Sequence, residues 1–300
     1  MKNIILRSLG LYLNGLAMIA PRPAARRAFN LFCYPVRPKL KSHHADFLNS
    51  SEKFQVDLNG LRIQGYKWGN GSRKVLFLHG WQSHTFRWKN YINSLSRNDL
   101  TILAFDAPGH GFSGGNFLSV PLYSEAIEHF ISQQGGVDTV VSHSIASFSI
   151  LYTLYRLPLL PVNRIVAMAP PGEAQDFIDH FQQQLRLSPR AMSLAVDYFQ
   201  KTFDQPVSFF SAKRFAAALA VPGLIIHDRD DDETPFEYAR QLNDVWKKSA
   251  LIQTTGLGHN LRSAEVTNIV CDYILRPAAY RVAETNGLAG GGTISVILPN

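Results

Sequence analysis

The chain has 300 residues, 46% of them hydrophobic, 18% charged and 11% aromatic. That composition excludes disordered, collagen-like and low-complexity classes and leaves a globular protein with a sizeable core. Two cysteines, Cys33 and Cys271, exclude a disulfide scaffold and a cysteine zinc ribbon, and suit a reducing, cytoplasmic setting. The net charge of +7 lies wholly in residues 1–50, where eight Lys and Arg face the single acid Asp46, while residues 51–300 balance 22 basic against 22 acidic groups. A basic segment on a neutral body argues against a nucleic-acid-binding domain.

Residues 3–20 predict an apolar helix with a narrow polar stripe of Asn3, Arg7, Gly10 and Asn14. The stretch makes a poor secretion signal, because Met18 and Ala20 do not form a small-residue cleavage site and Pro21 would follow the cut. As a membrane span it is short and carries Arg7. Two readings remain. The helix packs on the globular body, or residues 1–41 make a peripheral membrane contact with Arg22, Arg26 and Arg27 toward anionic headgroups.

Phe54–Leu58 and Leu61–Trp68 predict two strands joined by the hairpin turn Asn59-Gly60. Apolar runs at Val75–His79, Leu100–Phe105, Thr139–Ser142, Arg164–Met168, Leu224–His227 and Leu251–Thr254 then alternate with helical patterns near 86–96, 121–134, 145–157, 213–219, 235–247 and 262–275. Alternation of this kind predicts an α/β fold: a mostly parallel sheet of eight strands with helices on both faces. Residues 171–212 break the rhythm with two amphipathic helices and no strand, and so predict an inserted helical cap. The expected organisation is a basic helical segment at 1–50, a core at 51–170 and 213–276, the cap at 171–212, and a tail at 277–300. That tail is Gly-rich and ends in a β-like run, Thr293–Leu298, that reads as an ordered appendage or a non-native end.

Reactive groups in a parallel α/β sheet collect at the carboxyl ends of strands. Ser144 follows the run Thr139–Ser142 and opens a helix, with the small residues Ser142 and Ala146 two places before and after it. A tight strand-to-helix turn needs small residues there. Asp228, Asp230, Asp231, Asp232 and Glu233 follow Leu224–His227, and Thr234 with Glu237 predicts a capping box with Pro235 at the first helical position. Asp228, Asp230 and Asp232 match the first positions of an EF-hand loop, but Glu233 stands where its glycine belongs and Ala239 where its last glutamate belongs, so a calcium site is excluded. His259 lies in the glycine-rich loop Gly256–Asn260 after the last regular strand. Serine, acid and histidine thus fall on strand ends in chain order. His79 and His110 are expected to organise turns, and His143 to be a packed or capping residue. His43-His44, with only Asp46 nearby, make a poor metal site.

These motifs resemble the α/β-hydrolase superfamily, in its lipase/esterase-like branch with a small helical cap. The resemblance rests on Leu78-His79-Gly80-Trp81, Asp106-Ala107-Pro108-Gly109-His110-Gly111-Phe112-Ser113, the elbow Ser142–Ala146, Ile226–Pro235 and Gly256–His259. It implies a catalytic Ser144–His259–Asp231 triad, with Asp228 as the alternative acid, and an oxyanion hole from the backbone N–H groups of Trp81 and Ile145. The expected activity is serine hydrolysis of a carboxylic ester or related acyl bond through an acyl-enzyme, with no cofactor, no metal and a small, apolar acyl ester as partner. A carbon–carbon bond hydrolase, an acyltransferase and a non-catalytic binding protein are the alternatives. Phe177, Phe181, Met192 and Phe199 are candidates for an acyl pocket, against a plain core role.

Overall fold

The computed structural model describes residues 2–276 and 295–297. Its elements run α1 (Lys2–Ile19), α2 (Pro21–Phe32), α3 (Ser42–Leu48), β1 (Glu52–Leu58), β2 (Leu61–Trp68), β3 (Arg73–Leu78), α4 (Lys89–Leu95), β4 (Leu100–Phe105) and α5 (Val120–Gln133). There follow β5 (Val137–His143), α6 (Ile145–Arg156), β6 (Val162–Met168), α7 (Ala174–Leu185), α8 (Pro189–Phe203), α9 (Ala212–Ala217) and β7 (Gly223–Asp228). The last are α10 (Phe236–Val245), β8 (Ser249–Thr254), α11 (Ala264–Leu275) and β9 (Ser295–Ile297). Two compact units emerge: Met1–Tyr34 with Gly172–Ser211, and Pro35–Pro171 with Ala212–Asn300. The basic segment of residues 1–50 is therefore divided between them.

The larger unit holds one sheet in the order β1-β2-β4-β3-β5-β6-β7-β8-β9. Asn59 and Gly60 both take positive φ (53° and 84°) in the β1–β2 turn, and Asp57 Oδ1 accepts the Gly60 N–H at 2.9 Å. β2 runs antiparallel to β1 and β4, and every pair from β4–β3 through β7–β8 is parallel. The eight expected strands are all present. Ser295–Ile297 adds a ninth, antiparallel to β8, so the β-like run in the tail pairs after all; the rest of the tail lies outside the described residues. β4 and β7 are buried along their whole length, as strands covered on both faces must be. The core joins Val75, Phe77, Ile102, Val141, Val166, Leu224 and Ile252 from the strands to Trp88, Leu95, Val270 and Ile274 from the covering elements.

The smaller unit is helical. Ser188 caps α8, its Oγ accepting the Ala191 N–H at 3.2 Å, and Pro189 follows at the first helical position. Phe29 of α2 packs against Tyr198, Phe199 and Phe203 of α8, with ring centroids 5.3, 6.2 and 5.7 Å apart. The two ends of the inserted segment are tied at its neck, where Glu173 and Ser211 form a bridge and the Ser211 hydroxyl donates to Glu173 Oε1 at 2.7 Å. None of the described helices is long and apolar enough to cross a membrane.

Asp106, at the end of β4, anchors the loops at the carboxyl edge. Its Oδ1 accepts the Thr85 N–H and hydroxyl at 2.8 Å each, and its Oδ2 accepts the Tyr66 hydroxyl at 2.8 Å and the Phe112 N–H at 2.9 Å. Gly111 has φ +46°, and any Cβ there would collide with this carboxylate. Removing the carboxylate strands four buried or half-buried donors. We expect Asp106→Ala to lower the unfolding free energy in urea by about 3 kcal/mol; a loss below about 1 kcal/mol would mean that other contacts hold these loops.

Candidate active site

The chain reverses its direction of crossover at β3, with β4 on one side and β5 on the other, and such a switch opens a crevice at the strands' carboxyl ends. Leu78 and Ser142 pair across β3 and β5 at that edge. Beyond them Ser144 takes φ 55° and ψ −128° before α6 begins at Ile145. A non-glycine residue held in that region costs about 1–3 kcal/mol. The turn is secured by the Ser144 N–H, which donates to Met168 O at 2.9 Å. Ser142 stands at the small-residue position before the turn without an orphaned hydroxyl: its Oγ donates to Val166 O at 3.0 Å and lies 3.1 Å from Ser147 Oγ. Ala146 is fully buried. On the β3 side, a Cβ added to Gly80 would lie 2.9 Å from His143 Nδ1 and 3.0 Å from Ser144 Cβ. Gly80 thus lets the backbone leading to Trp81 pass against the serine. Ile145 is the first helical residue, so its N–H has no acceptor within the helix.

The loops after β7 and β8 bring the acid and the histidine to the same place. His259 Nε2 lies 3.0 Å from Ser144 Oγ, and His259 Nδ1 lies 2.9 Å from Asp231 Oδ2. With the Nδ1 proton directed at the carboxylate, Nε2 carries the lone pair that faces the serine hydroxyl. Asp231 Oδ1 also accepts the N–H groups of Glu233 and Thr234 at 2.9 Å each, and Oδ2 accepts the Thr234 hydroxyl at 2.8 Å. His227 Nε2 is 3.2 Å from Oδ2. Burial alone would raise the Asp231 pKa, but the hydrogen bonds from His227, His259 and Thr234 outweigh it and hold the carboxyl well below the usual carboxylate range.

Asp228 does different work. Its Oδ2 accepts the Thr254 hydroxyl at 2.6 Å and the Leu257 N–H at 3.0 Å, and its Oδ1 accepts the Asp230 N–H at 3.0 Å. It organises the two loops and makes no hydrogen bond or ion pair with His259. Asp230, Asp232 and Glu233 are exposed; Glu233 Oε2 comes within 3.8 Å of His259 Nε2 from the solvent side. The expected capping box does not form. Thr234 spends its hydroxyl on Asp231, so α10 starts later, at Phe236, with Pro235 at its N-cap position and no side-chain cap.

Four neighbours of the site were not assigned these roles by spacing. Thr234 and His227 both donate toward Asp231, and the His227 Nε2 also lies 2.8 Å from Thr234 O. Arg87 grips the histidine loop, with guanidinium bonds to Asn260 O at 2.7 Å and Asn260 Oδ1 at 3.3 Å. His143 is buried and its Nε2 lies 2.8 Å from the His259 carbonyl. Burial, then the nearby Arg87 and His259 charges, keeps it well below the ordinary histidine value, so it is a neutral donor. Nothing local in the sequence marks Arg87, because its partner lies over 170 residues away.

His79 and His110 act in turns as expected. His79 Nε2 accepts the Ala107 N–H at 2.9 Å while Nδ1 lies 2.8 Å from Gly80 O. His110 Nε2 accepts the Gln82 N–H at 3.0 Å and Nδ1 lies 2.9 Å from Pro108 O. Desolvation lowers both to about 3, which fixes each as neutral. Phe177, Phe181, Met192 and Phe199 fall in the smaller unit. Met192 and Phe199 are buried there, Phe199 against Phe203 and Phe210 at 4.8 and 5.4 Å, and Phe181 packs edge-on against Phe32 at 5.3 Å. Among the described residues no cluster of three or more His, Cys, Asp or Glu is arranged to hold a metal ion.

A carboxyl whose folded pKa is depressed stabilises the fold above its unfolded value, near about 4, and loses that contribution as pH falls through the folded value. Asp231→Asn should therefore flatten the acid limb of the stability curve, measured as the urea midpoint from about pH 6 down to about pH 3. An acid limb as steep as that of the unaltered protein would show that Asp231 is not held as described.

Residues 75–266 match the model of the alpha/beta hydrolase family. The chain is 23% identical over 266 residues to the bifunctional esterase/perhydrolase of Acinetobacter calcoaceticus, a match covering 72% of this chain and 96% of that one. Its fold is similar to ferulic-acid-bound Est1E from Butyrivibrio proteoclasticus, with TM-score 0.61, 15% identity, and coverage of 77% of this chain and 99% of that one. It is also similar to a meta-cleavage product hydrolase from Pseudomonas fluorescens, with TM-score 0.55, 16% identity, and coverage of 75% and 98%. At such identities the solved structures speak for the fold alone. Strand order, the elbow at Ser144 and the family match agree, and the protein belongs to the alpha/beta hydrolase family.

Proposed function

We propose that the chain is a serine hydrolase that cleaves a carboxylic ester or related acyl bond. Ser144 is the nucleophile, His259 the general base and then acid, and Asp231 the group that orients and supports the imidazole. The observation that carries this reading is the continuous relay from Ser144 Oγ through His259 to Asp231 behind a positive-φ elbow. A serine hydroxyl is a weak nucleophile near neutral pH, and Nε2 would take its proton as Oγ attacks the acyl carbon. The ionised Asp231 would stabilise the imidazolium that forms. The backbone N–H groups of Trp81 and Ile145 would receive the oxyanion, and losing one such donor typically costs about 3–4 kcal/mol of barrier. Protonated His259 would then hand its proton to the leaving alcohol, and water would release the acyl group by the same steps in reverse.

The substrate in this reading is a small, apolar acyl ester; the esterase/perhydrolase relative supports the ester part of that reading. The setting is cytoplasmic, which suits two free, buried thiols. Fluorophosphonate labelling and a panel of p-nitrophenyl esters of increasing acyl length test the proposal together. Ser144→Ala should abolish labelling with little change in thermal stability, and Asp231→Asn should lower kcat by about 10⁴, the loss known for the serine-protease triad. Asp232→Asn should leave kcat nearly unchanged. Labelling that persists in Ser144→Ala on another serine, or no turnover of any ester in the panel, would overturn the reading.

A further inference from the structure

Helix α1 turns only part of its polar stripe inward and leaves Arg7 exposed. Gly10 and Asn14, part of that stripe, face inward. A Cβ at Gly10 would collide with the Leu185 carbonyl at the end of α7. Asn14 Nδ2 donates to Arg186 O at 3.0 Å, and its Oδ1 accepts the Ser188 N–H at 2.8 Å. Arg190 Nε donates to Ala17 O at 3.0 Å, and Leu13 and Ala17 are buried beside these contacts. The backbone approach and the asparagine bonds leave α1 one way to sit.

The outward face is consequently mostly apolar, with Arg7, Ser8 and Gly15 exposed among its hydrophobes. Ile4, Leu11 and Met18 recur every seven residues on one line, and they are 68%, 73% and 69% exposed. Ile5, Tyr12 and Ile19 extend the same face, with Ile19 83% exposed. Isolated exposed hydrophobes are ordinary, but six of them recurring along a helix of five turns mark an interaction surface. Its rim is cationic. The Arg27 guanidinium sits over the Tyr12 ring at 5.6 Å, and Arg22 and Arg26 are exposed on α2. Residues 1–45 contain no Asp or Glu, and the acids of this unit stand on the inserted segment, at Glu173, Asp176, Asp179, Asp197 and Asp204. An apolar helix face bordered by arginines and free of carboxylates has the chemistry of the boundary between acyl chains and anionic headgroups.

We infer that α1 and α2 dock the protein on an anionic lipid surface, with Ile4, Leu11, Met18 and Ile19 entering the acyl boundary and Arg22, Arg26 and Arg27 meeting the headgroups. The contact is peripheral, since α1 carries Arg7 and is anchored through its other face to α7 and α8. It does not depend on the proposed hydrolase activity, and its readout is vesicle binding.

The experiment is co-sedimentation of the full chain with phosphatidylglycerol/phosphatidylcholine vesicles and with phosphatidylcholine alone. Binding should favour the anionic vesicles at least tenfold and weaken in about 0.5 M salt, where the Debye length shrinks to about 4 Å. Leu11→Asp with Met18→Asp should reduce the bound fraction at least tenfold, and Arg26→Glu with Arg27→Glu should remove the preference for anionic lipid. All four positions are exposed, and unchanged thermal unfolding of each variant identifies the loss as one of binding. Absence of binding to anionic vesicles would overturn the inference. So would a stable dimer in solution that Leu11→Asp dissociates, because a second copy would then be the occupant of this face.

Discussion

The turn at Ser144 is the constraint on which the rest of the larger unit depends. A residue with a side chain is held in left-handed φ between a buried strand and a helix, and the surroundings must make every relaxed alternative worse. Ser142 and Ala146 are small enough for the backbones of β6 and the β3 loop to close in. Gly80 has no side chain where Ser144 Cβ needs room, and Met168 O takes the serine N–H. With these in place, Oγ has one direction in which to project, and the histidine loop is built to meet it there.

Around that turn, the carboxyl edge of the sheet is organised by buried polar groups whose partners are nearly all supplied by the protein. Asp106 gathers the loops after β3 and β4, Asp228 joins the loops after β7 and β8, and Asp231 collects donors from its own loop and from His259. His79 and His110 work as neutral connectors between backbone groups, and neutral His143 holds the His259 carbonyl. A buried carboxylate with several donors is costly to disrupt, so these aspartates convert irregular loops into fixed positions. Rigid loops matter for chemistry at this edge, since an error of about 1 Å in a relay can cost about a hundredfold in rate.

The smaller unit follows a different logic. Its helices have their own aromatic core, centred on Phe29, Phe199, Phe203 and Phe210, and its neck is closed by the Glu173–Ser211 bridge. The basic excess of the whole chain begins here, on α1 and α2, which carry no acid. Composition averaged over 300 residues conceals this concentration, because the remaining 250 residues are neutral.

Hydrophobic periodicity and turn chemistry are local properties, so residues close in sequence determine them. The eight regular strands, the alternation with helices, the Asn59-Gly60 hairpin and the placing of Ser144, the acidic loop and His259 on successive strand ends were legible for that reason. The preference for Asp231 over Asp228 came from the resemblance and not from spacing, since five acids share one loop and the approach of His259, 28 residues away, is what separates them in space. Thr234 carries a capping pattern locally, yet a carboxylate and an imidazole in reach give its hydroxyl a better partner than the helix end. Ser295–Ile297 becomes a strand only because β8 presents an edge to it. The orientation of α1 is the plainest case. Periodicity shows that the helix has a polar side and an apolar side, but the close approach at Gly10 and the bonds to Asn14 come from chain more than 170 residues away, and they decide which side turns inward.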